Sequence, residues 1–330
     1  VFFQCYGEYR NVQSFPTRRS SDLITDAAFR RICQEHSADF TFSEMISVAS
    51  VFFHPGPKNK SWRLASSFPS SEPFFVQLFG SQPEQFSLAA EKFSSLPKRK
   101  KNEKNSPGIF RPDGIDINFG CPAKKVLKQN SGCALMKNPQ LAKKIISATL
   151  ENTDLPVSLK IRAGIENFSA LDFLQAIGDL DWKILTVHGR KFSQGFSGEI
   201  DFELIRKIKK MFPQKIVLAN GGIFSPPKAR ETLEKTGADG IMIGRGAMGQ
   251  PWIFSQIKKY LEKGKFFQPT SKQIRKTILL HARYFFSDPR NNPAEFRKHL
   301  LWYFKGRPQA KKWRDKIIRI ESLKEVEELF

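Results

Sequence analysis

The sequence predicts an α/β fold, a (β/α)8 TIM barrel followed by a smaller C-terminal helical domain. Between residues 40 and 243, short and nearly continuous apolar runs alternate with longer amphipathic stretches, which is typical of parallel strands covered by helices. Polar residues or glycines stand at the ends of most of these runs. An open, doubly wound sheet is the alternative. We favour the barrel because it gathers the polar ends into one ring around a single pocket.

Seven apolar runs are assigned to strands, and five amphipathic stretches to the helices between them. The strands are predicted at residues 40–45, 74–79, 114–118, 156–161, 183–187, 215–219 and 240–243. The helices are predicted at residues 83–95, 139–152, 170–179, 202–212 and 226–235. Three of the helices have proline at or near their first position, where its missing N–H costs no hydrogen bond.

The first strand of the barrel is missing from this pattern. Residues 1–23 are polar, with no apolar run beyond residues 1–3, and residues 14–23 resemble the translation of a common short-read sequencing adapter. We therefore interpret residues 1–23 as an atypical N-terminal segment in which a sequence artefact has replaced the first strand. A genuine but atypical N-terminal arm is the alternative, and long-read resequencing of the locus distinguishes the two.

Composition narrows the classes of protein. A chain of 330 residues with 40% hydrophobic residues can bury a full core, which excludes a disordered chain. Its formal net charge of +22 predicts attraction to a polyanion, with nucleic acid first, an acidic membrane surface second and mere solubility third. The four cysteines form no C-x-x-C pair, which fits a reducing compartment. The chain has neither a run of roughly 18 apolar residues nor a secretory signal, so we expect a cytoplasmic protein.

We divide the rest of the chain into a barrel domain at residues 24–264 and a helical domain at residues 265–330, with helices at 271–286, 293–304 and 311–329. Residues 97–112 are predicted as a basic, solvated loop, with contact to phosphate as the alternative. Between residues 297 and 320, nine Lys and Arg accompany a single Asp, with Trp302, Tyr303 and Trp313 among them. We expect the cations to contact RNA. The rings either stack on bases or, as we favour, form the core of a small bundle.

Cys121 is the first candidate for chemistry, because it directly follows a predicted strand, where a barrel carries its reactive groups. A free cysteine is most often a small buried hydrophobe. Here, however, Gly120 and Pro122 force a sharp exit from the strand, which suits aiming a thiol more than packing it. Such a thiol is a nucleophile when deprotonated and an acid when protonated.

Lys160 and Arg162 end the next predicted strand, and His188 follows the one after it. A lysine in an otherwise apolar strand is costly to bury without an anionic partner. A histidine at a strand end is usually structural, but this one shares its predicted rim with Cys121 and Lys160. We therefore interpret these residues as parts of one site.

Glycines end the last two predicted strands, in Asn220-Gly221-Gly222 and in residues 240–246. They let backbone N–H groups approach a phosphate, and barrels commonly bind phosphate at these loops, although turns also need glycine. The predicted pocket thus holds a thiol, a buried cation, a histidine and a phosphate cradle, with no carboxylate pair and no metal cluster. These are the groups that a flavin mononucleotide (FMN) enzyme needs.

Six ordered stretches resemble the tRNA-dihydrouridine synthase family, in particular its bacterial B-type branch. They are DINFGCPAKKV (116–126), SGCALM (131–136), PVSLKIRAG (156–164), LTVHGR (185–190), ANGGI (219–223) and TGADGIMIGRGAMGQPWIF (236–254). The resemblance runs from about residue 25 to the end of the chain and weakens in the helical domain.

This resemblance implies an enzyme that uses FMN and NADPH to reduce specific uridines of tRNA to 5,6-dihydrouridine, acting as a monomer without a metal. It implies that Cys121 donates the proton to C5 of the uracil. Contacts with the FMN ring are assigned to Gln77, Lys160 and His188. The ribityl phosphate is assigned to Asn220, Gly221, Gly222, Gly244 and Arg245, and the uracil to Asn118 and Arg162.

Two other functions stay open at this point. One is a different FMN barrel, similar to dihydroorotate dehydrogenase, acting on a free pyrimidine; it would not need the basic tail. The other is a non-catalytic RNA-binding protein, which would show no flavin absorbance. One departure from the family concerns the cofactor, because its first strand carries a Pro-Met pair against FMN that residues 1–23 do not supply. We therefore expect weak FMN binding and an open barrel with two exposed strand edges.

Overall fold

Eight parallel strands close into a barrel in the computed structural model, which describes residues 2–5, 24–54, 56, 59–69, 72–99, 106–306 and 310–330. Each strand pairs with the next along the chain, and the last pairs with the first. In chain order they are β1 Phe2–Cys5, β2 Phe40–Ser47, β3 Phe74–Phe79, β4 Gly114–Phe119, β5 Val157–Ile165, β6 Ile184–Lys191, β7 Ile216–Asn220 and β8 Gly240–Ile243.

The first strand is present, which corrects the expectation of an open barrel. β1 pairs with β8 over its four residues and with β2 at Gln4 and Cys5. Four residues of backbone are enough to bridge two neighbouring strands, because ladder hydrogen bonds use main-chain groups and need no long apolar run. The adapter-like residues 14–23 lie outside the described residues, so the artefact hypothesis stays a prediction.

Helices cover the outside of the barrel. They are α1 Ala27–Glu35, α2 Val48–Phe53, α3 Lys60–Arg63, α4 Pro83–Ser94, α5 Lys124–Leu127, α6 Pro139–Glu151, α7 Ala170–Ile177, α8 Phe202–Met211, α9 Pro226–Thr236 and α10 Ile253–Lys263. All five predicted helices are present to within two residues at either end. Within the predicted loop at 97–112, Gly108–Ile109 pairs with Ser66–Ser67 as a small antiparallel ribbon, and residues 100–105 are outside the described chain.

The barrel interior changes character along its axis. Because strand side chains alternate between two faces, one set points to the helices and the other into the barrel. The N-terminal end of the interior is filled by the apolar residues Phe40, Phe42, Phe75, Ile184, Leu218 and Met242. Two residues further along the same face of their strands stand the polar residues Gln77, Thr186 and Asn220. The apolar layer closes the bottom of the barrel and leaves its polar groups at the mouth.

The C-terminal helices pack on the barrel through a second hydrophobic cluster. They are α11 Ser271–Phe286, α12 Pro293–Phe304, α13 Ala310–Ile317 and α14 Leu323–Glu327. Their cluster includes Tyr303 and also Ala28, Phe68 and Trp252 from the barrel side, so the two cores are contiguous. Tyr303 is therefore a core residue, as favoured from the sequence. No helix among the described residues is both long and apolar enough to cross a bilayer.

The helix predicted at 311–329 is wrong as a single element, because the chain forms α13 and α14 instead. Ser322 starts α14 with a capping box: its hydroxyl accepts from the N–H of Glu325, whose carboxylate accepts from the N–H of Ser322. A serine that satisfies the free N–H groups of a new helix favours a helix start over continuation of the previous helix. Ser322 is therefore the local signal for the break between α13 and α14.

A part-buried ion pair joins the helical domain to the barrel. His299 Nε2 on α12 lies 2.7 Å from Asp26 Oδ2 at the N-terminus of α1, and the His281 and His299 rings lie 4.5 Å apart. Burial alone raises the pKa of Asp26, but the charge and hydrogen bond of His299 outweigh it and hold that pKa at about 2. The pair therefore ties the first helix to the C-terminal domain.

Candidate functional site

Polar side chains from five successive strands form a ring at the mouth of the barrel. Gln77 is in register with Asp116, Asn118 with Lys160, Arg162 with His188, and His188 with Asn220. All six side chains predicted from these strands are buried despite their polarity, namely Gln77, Asn118, Lys160, Arg162, His188 and Asn220. Because neighbouring strands lie about 4.8 Å apart, Asn118 and His188 are separated by roughly 10 Å.

Cys121 lies in the turn that follows β4 and is 6% exposed. Asn118 Oδ1 accepts hydrogen bonds from the backbone N–H of Gly120 at 3.0 Å and of Cys121 at 2.8 Å. From the other side, Arg162 Nε donates to the carbonyl of Gly120 at 2.9 Å. The backbone that carries the thiol is therefore fixed by two side chains of the ring.

A second buried cysteine borders this turn. The N–H of Cys133 donates to the carbonyl of Cys121 at 3.1 Å. Gly132 has φ +62°, and a Cβ there would lie 2.9 Å from that carbonyl oxygen, so both the backbone conformation and the space favour glycine. Burial raises the pKa of the Cys133 thiol to about 12. Cys133 is therefore an inert packing residue, and Cys121 is the candidate for chemistry of the two.

A chain of hydrogen bonds runs beneath the Cys121 turn. Gln77 Nε2 donates to Asp116 Oδ2 at 2.5 Å, and Asn118 Nδ2 donates to Gln77 Oε1 at 2.8 Å. The hydroxyl of Ser158 donates to the other oxygen of Asp116. Sequence reasoning gave Asp116 and Ser158 no role; the available signal was a carboxylate inside an otherwise apolar strand. We call Gln77, Asp116, Asn118, Cys121 and Arg162 the thiol half of the ring.

Cations dominate the electrostatics of the ring. Burial lowers the pKa of His188 well below its usual value, and the charges of Lys160, Arg162, Arg190 and Arg245 lower it further. The imidazole is therefore neutral at physiological pH. Positive charge held at low solvent exposure is complementary to an anion, so the ring suits an anionic ligand.

The other half of the ring opens into a cleft of about 300 Å³, part of it open to solvent. It is lined by His188, Asn220, Gly221, Gly222, Ile223, Phe224, Met242, Ile243, Gly244, Arg245 and Gly246. We call it the glycine cleft. It contains all five residues that the sequence assigned to a phosphate, together with His188. The structure places Gln77, Asn118, Lys160, Arg162 and Cys121 outside its lining.

Two features shape the glycine cleft, namely glycines where a side chain would collide and a buried polar atom of Asn220 for which the described part of the chain offers no hydrogen-bond partner. Gly221 has φ +117°, and a Cβ there would lie 2.5 Å from Ile200 and 2.8 Å from the His188 ring. Asn220 Nδ2 donates to the carbonyl of Met242 at 2.9 Å, whereas its buried Oδ1 has no hydrogen-bond partner among the described residues. A buried acceptor without a protein partner is costly, so this atom can receive a hydrogen bond from a ligand in the cleft.

Sequence reasoning missed two residues beside the ring, of which Phe196 connects the halves and Arg190 adjoins His188. The ring of Phe196 lies 4.5 Å from Arg245 Cζ and 5.5 Å from Arg162 Cζ. Arg190 Nη1 lies 3.5 Å from His188 Nε2, and Arg190 Nε donates to the carbonyl of Gly198. The LTVHGR stretch contained Arg190, so its position beside His188 was an available signal. Phe196 lies in the loop that follows β6, and no pattern in the sequence indicated its position.

Comparisons with known proteins identify the family of this chain. The family model for dihydrouridine synthase (Dus) matches residues 21–330. A probable tRNA-dihydrouridine synthase of Rickettsia conorii is 36% identical over 300 residues, covering 88% of this chain and 84% of the relative. tRNA-dihydrouridine synthase B of Escherichia coli K12 is 34% identical over 310 residues, covering 92% and 90%. The enzyme of that name from Xanthomonas campestris is 35% identical over 307 residues, covering 91% and 86%. The resemblance drawn from the motifs is thus confirmed, and the chain belongs to the dihydrouridine synthase family, with relatives of the B type.

Proposed function

We propose that this enzyme reduces specific uridines of tRNA to 5,6-dihydrouridine, with FMN as cofactor, NADPH as reductant and Cys121 as the proton donor to C5. The relatives that support the substrate are named for tRNA. The observation that carries the chemistry is the shared ring, in which the fixed Cys121 turn after β4 and the glycine cleft at the ends of β6 to β8 stand at one barrel mouth, with Lys160 and Arg162 on β5 between them.

The residues of the glycine cleft fit FMN. A phosphate needs positive charge, close backbone approach and hydrogen-bond donors, and the cleft offers Arg245 and the glycines at positions 221, 222 and 244. The partnerless Oδ1 of Asn220 accepts from a hydroxyl or N–H of the ligand. Lys160 and the neutral His188, on the adjacent strands β5 and β6, would contact the flavin ring. When bound, FMN supplies the hydride for C6 of the uracil.

The chain's own residues supply the remaining chemistry. Cys121 Sγ–H gives its proton to C5 of the uracil, as a positioned general acid. Lys160 and Arg162 stabilise the negative charge that develops on the uracil carbonyl, because fixed charges in a water-poor site act strongly. Asn118 and Arg162 hold the turn that carries the acid, and we place the uracil against them.

The charge balance supports an RNA substrate. A formal net charge of +22 favours a polyanion over a free pyrimidine, which needs no such field. For the target uridine to reach the mouth of the barrel it must leave the base stack, as for other enzymes that act on a base. We therefore expect tRNA binding to weaken steeply with salt.

Position-resolved mass spectrometry of tRNA tests this proposal, using cells with the gene, without it, and without it but complemented. We expect dihydrouridine to disappear from defined positions and to return on complementation. Unchanged tRNA would contradict the substrate. The purified protein should show flavin absorbance that NADPH bleaches, and a colourless protein that still restores dihydrouridine would contradict the cofactor. NADPH-dependent reduction of a free pyrimidine instead of tRNA would favour the other flavin barrel.

A further inference from the structure

Asp116 is a buried carboxylate at the base of the thiol half and does not touch the Cys121 turn. Its side chain is fully buried, and both of its oxygens accept hydrogen bonds, one from Ser158 and one from Gln77. The Gln77 amide continues to Asn118, and Asn118 continues to the backbone of Gly120 and Cys121. Two side chains, Gln77 on β3 and Asn118 on β4, thus link the Asp116 carboxylate to the turn that carries the thiol.

This chain of hydrogen bonds has one polarity. An ionised carboxylate only accepts, so Gln77 must turn its NH₂ toward Asp116 and its oxygen toward Asn118. Asn118 must then turn its NH₂ toward Gln77 and its oxygen toward the turn. The turn offers two backbone N–H groups, which only donate, so both ends of the chain demand the same orientation of both amides. Reversing either amide would oppose donor to donor and acceptor to acceptor.

We propose that Asp116 is a positioning residue for the reaction, which sets the orientation of Gln77 and Asn118 and thereby holds the Cys121 thiol where it protonates the uracil. This inference rests on the proposed function, because it concerns the step in which Cys121 gives its proton. Misplacing a catalytic group by about 1 Å is enough to cost about 100-fold in rate.

Protonation of Asp116 removes the fixed polarity at its source. Burial raises the pKa of Asp116 to about 6, while the hydrogen bonds from Ser158 and Gln77 and the charge of Lys160 oppose that rise. Above about pH 6 the carboxylate is ionised and only accepts, which holds the Gln77 amide in one orientation. Below that pH the carboxyl carries one donor beside one acceptor, so it no longer selects a single orientation of the Gln77 amide. The anchoring of the turn is therefore expected to weaken on the acid side of pH 6.

Two variants of Asp116 separate positioning from mere burial of an acid. Asp116→Leu removes the acceptor, and Asp116→Asn imitates the protonated carboxyl, because it carries one donor and one acceptor and has no titratable charge. Glu44→Gln is the matched control, because Glu44 is also a buried carboxylate but accepts from Ile24 and Thr25, away from the turn. All variants are compared at equal folded fraction by circular dichroism.

The first readout needs no activity. Iodoacetamide alkylation of the native protein is followed by peptide mass spectrometry, with the buried Cys33 on α1 as internal reference. We expect Asp116→Leu to alkylate Cys121 at least about 10-fold faster than wild type, with Cys33 unchanged, because a released turn exposes its thiol. Glu44→Gln should leave the ratio of the two rates unchanged.

The second readout measures reduction of the flavin by NADPH separately from reduction of the uridine. Flavin bleaching by NADPH does not use the thiol, so it should stay within about 3-fold in Asp116→Leu, while kcat for dihydrouridine formation falls about 100-fold at a similar KM for tRNA. Asp116→Asn should show at every pH the lowered kcat that the wild type shows below pH 6, without the pH dependence of the wild type.

The outcomes decide between the claims. Wild-type alkylation and wild-type kcat in Asp116→Leu would overturn the positioning role, and so would an unchanged acid limb in Asp116→Asn. If Asp116→Leu does not fold, the pH profile of Asp116→Asn still decides. If the wild type forms no dihydrouridine, the proposed function fails, and the alkylation comparison alone judges whether Asp116 holds the turn.

Discussion

The two halves of the ring differ in how their buried polar groups are hydrogen-bonded. In the thiol half, Asp116, Gln77 and Asn118 satisfy one another, and the chain ends on the backbone of Cys121. The glycine cleft instead presents an acceptor on Asn220 that no described residue satisfies, beside an imidazole surrounded by cations. If the proposed roles hold, the groups that act on the substrate are set in advance by the protein, whereas the groups that receive the cofactor are completed by it.

The largest effect is expected from Cys121→Ala, which removes the acid and leaves the glycine cleft intact. General acid catalysis contributes about 10²- to 10⁴-fold, so dihydrouridine formation should fall by that factor while flavin content and its bleaching by NADPH stay normal. Single-turnover assays on tRNA measure the loss. Cys133→Ala is the matched control, since Cys133 is the neighbouring packing cysteine and should retain turnover. Equal turnover in Cys121→Ala and wild type would remove the acid role.

Gly221→Ala should damage the opposite half. Its Cβ would collide with Ile200 and the His188 ring at a φ of +117°, so we expect FMN affinity to fall about 30-fold, measured by flavin fluorescence with the apoprotein. The alkylation rate of Cys121 should not change.

Gly237→Ala is the control for backbone strain in this experiment. Gly237 also has positive φ, +66°, at the C-cap of α9, but no atom lies within 4 Å of a Cβ there. It should cost about 1 kcal/mol of stability and no FMN affinity. Loss of FMN affinity in both variants would assign the effect to stability and would break the contrast between the halves.

Asp26→Asn tests whether a loss of stability outside the ring leaves the function of both halves unchanged. Asparagine still caps α1, so the variant removes only the charge that pairs with His299. The folded-state pKa of about 2 lies below the ordinary 3.8, so the pair stabilises the protein by about 2 kcal/mol above pH 4, a contribution lost as pH falls toward 2.

Urea unfolding at several pH values measures this stabilisation. Wild type should lose its advantage over Asp26→Asn between pH 4 and pH 2, with FMN affinity equal in both. Asp181→Asn, which removes an exposed pair with Lys183, should leave the midpoint unchanged. An advantage that is independent of pH would contradict the ion pair.

The smallest expected effect comes from Phe196→Leu, at the boundary of the halves. Cation–π contacts contribute about 0.5–1 kcal/mol each, so FMN affinity and kcat should each fall about 3-fold as Arg245 and Arg162 lose the ring. Phe224→Leu is the comparison, because Phe224 lies 5.6 Å from Arg245 and lines only the glycine cleft. It should lower affinity alone. A fall in kcat for both would show that the halves are not separable.

The fold was largely predictable because apolar runs report burial directly. All seven predicted strands are present, yet β6 runs to Lys191 and not to Val187, since His188, Gly189 and Arg190 are polar residues buried in a ladder. β1 was missed because four residues with one apolar pair give no periodic signal. α10 is absent from the sequence prediction, because the alternation of strands and helices was assigned only as far as β8.

The site was predictable only in part. Residues at strand ends, such as Cys121 and Asn220, could be placed on the mouth of the barrel from position alone. The partnership of Asp116 with Gln77 and Ser158 could not, because it depends on the register between three strands, and a shift of one residue would turn each side chain to the other face. Sequence spacing does not fix that register.

β1 closes the cylinder. Its four described residues pair with β8, and Gln4 and Cys5 also pair with β2, so each of the eight described strands has a neighbour on both sides. A closed ladder offers no free strand edge to which another chain could add a strand. Moving any one strand that carries a ring residue therefore requires breaking ladder hydrogen bonds on two sides.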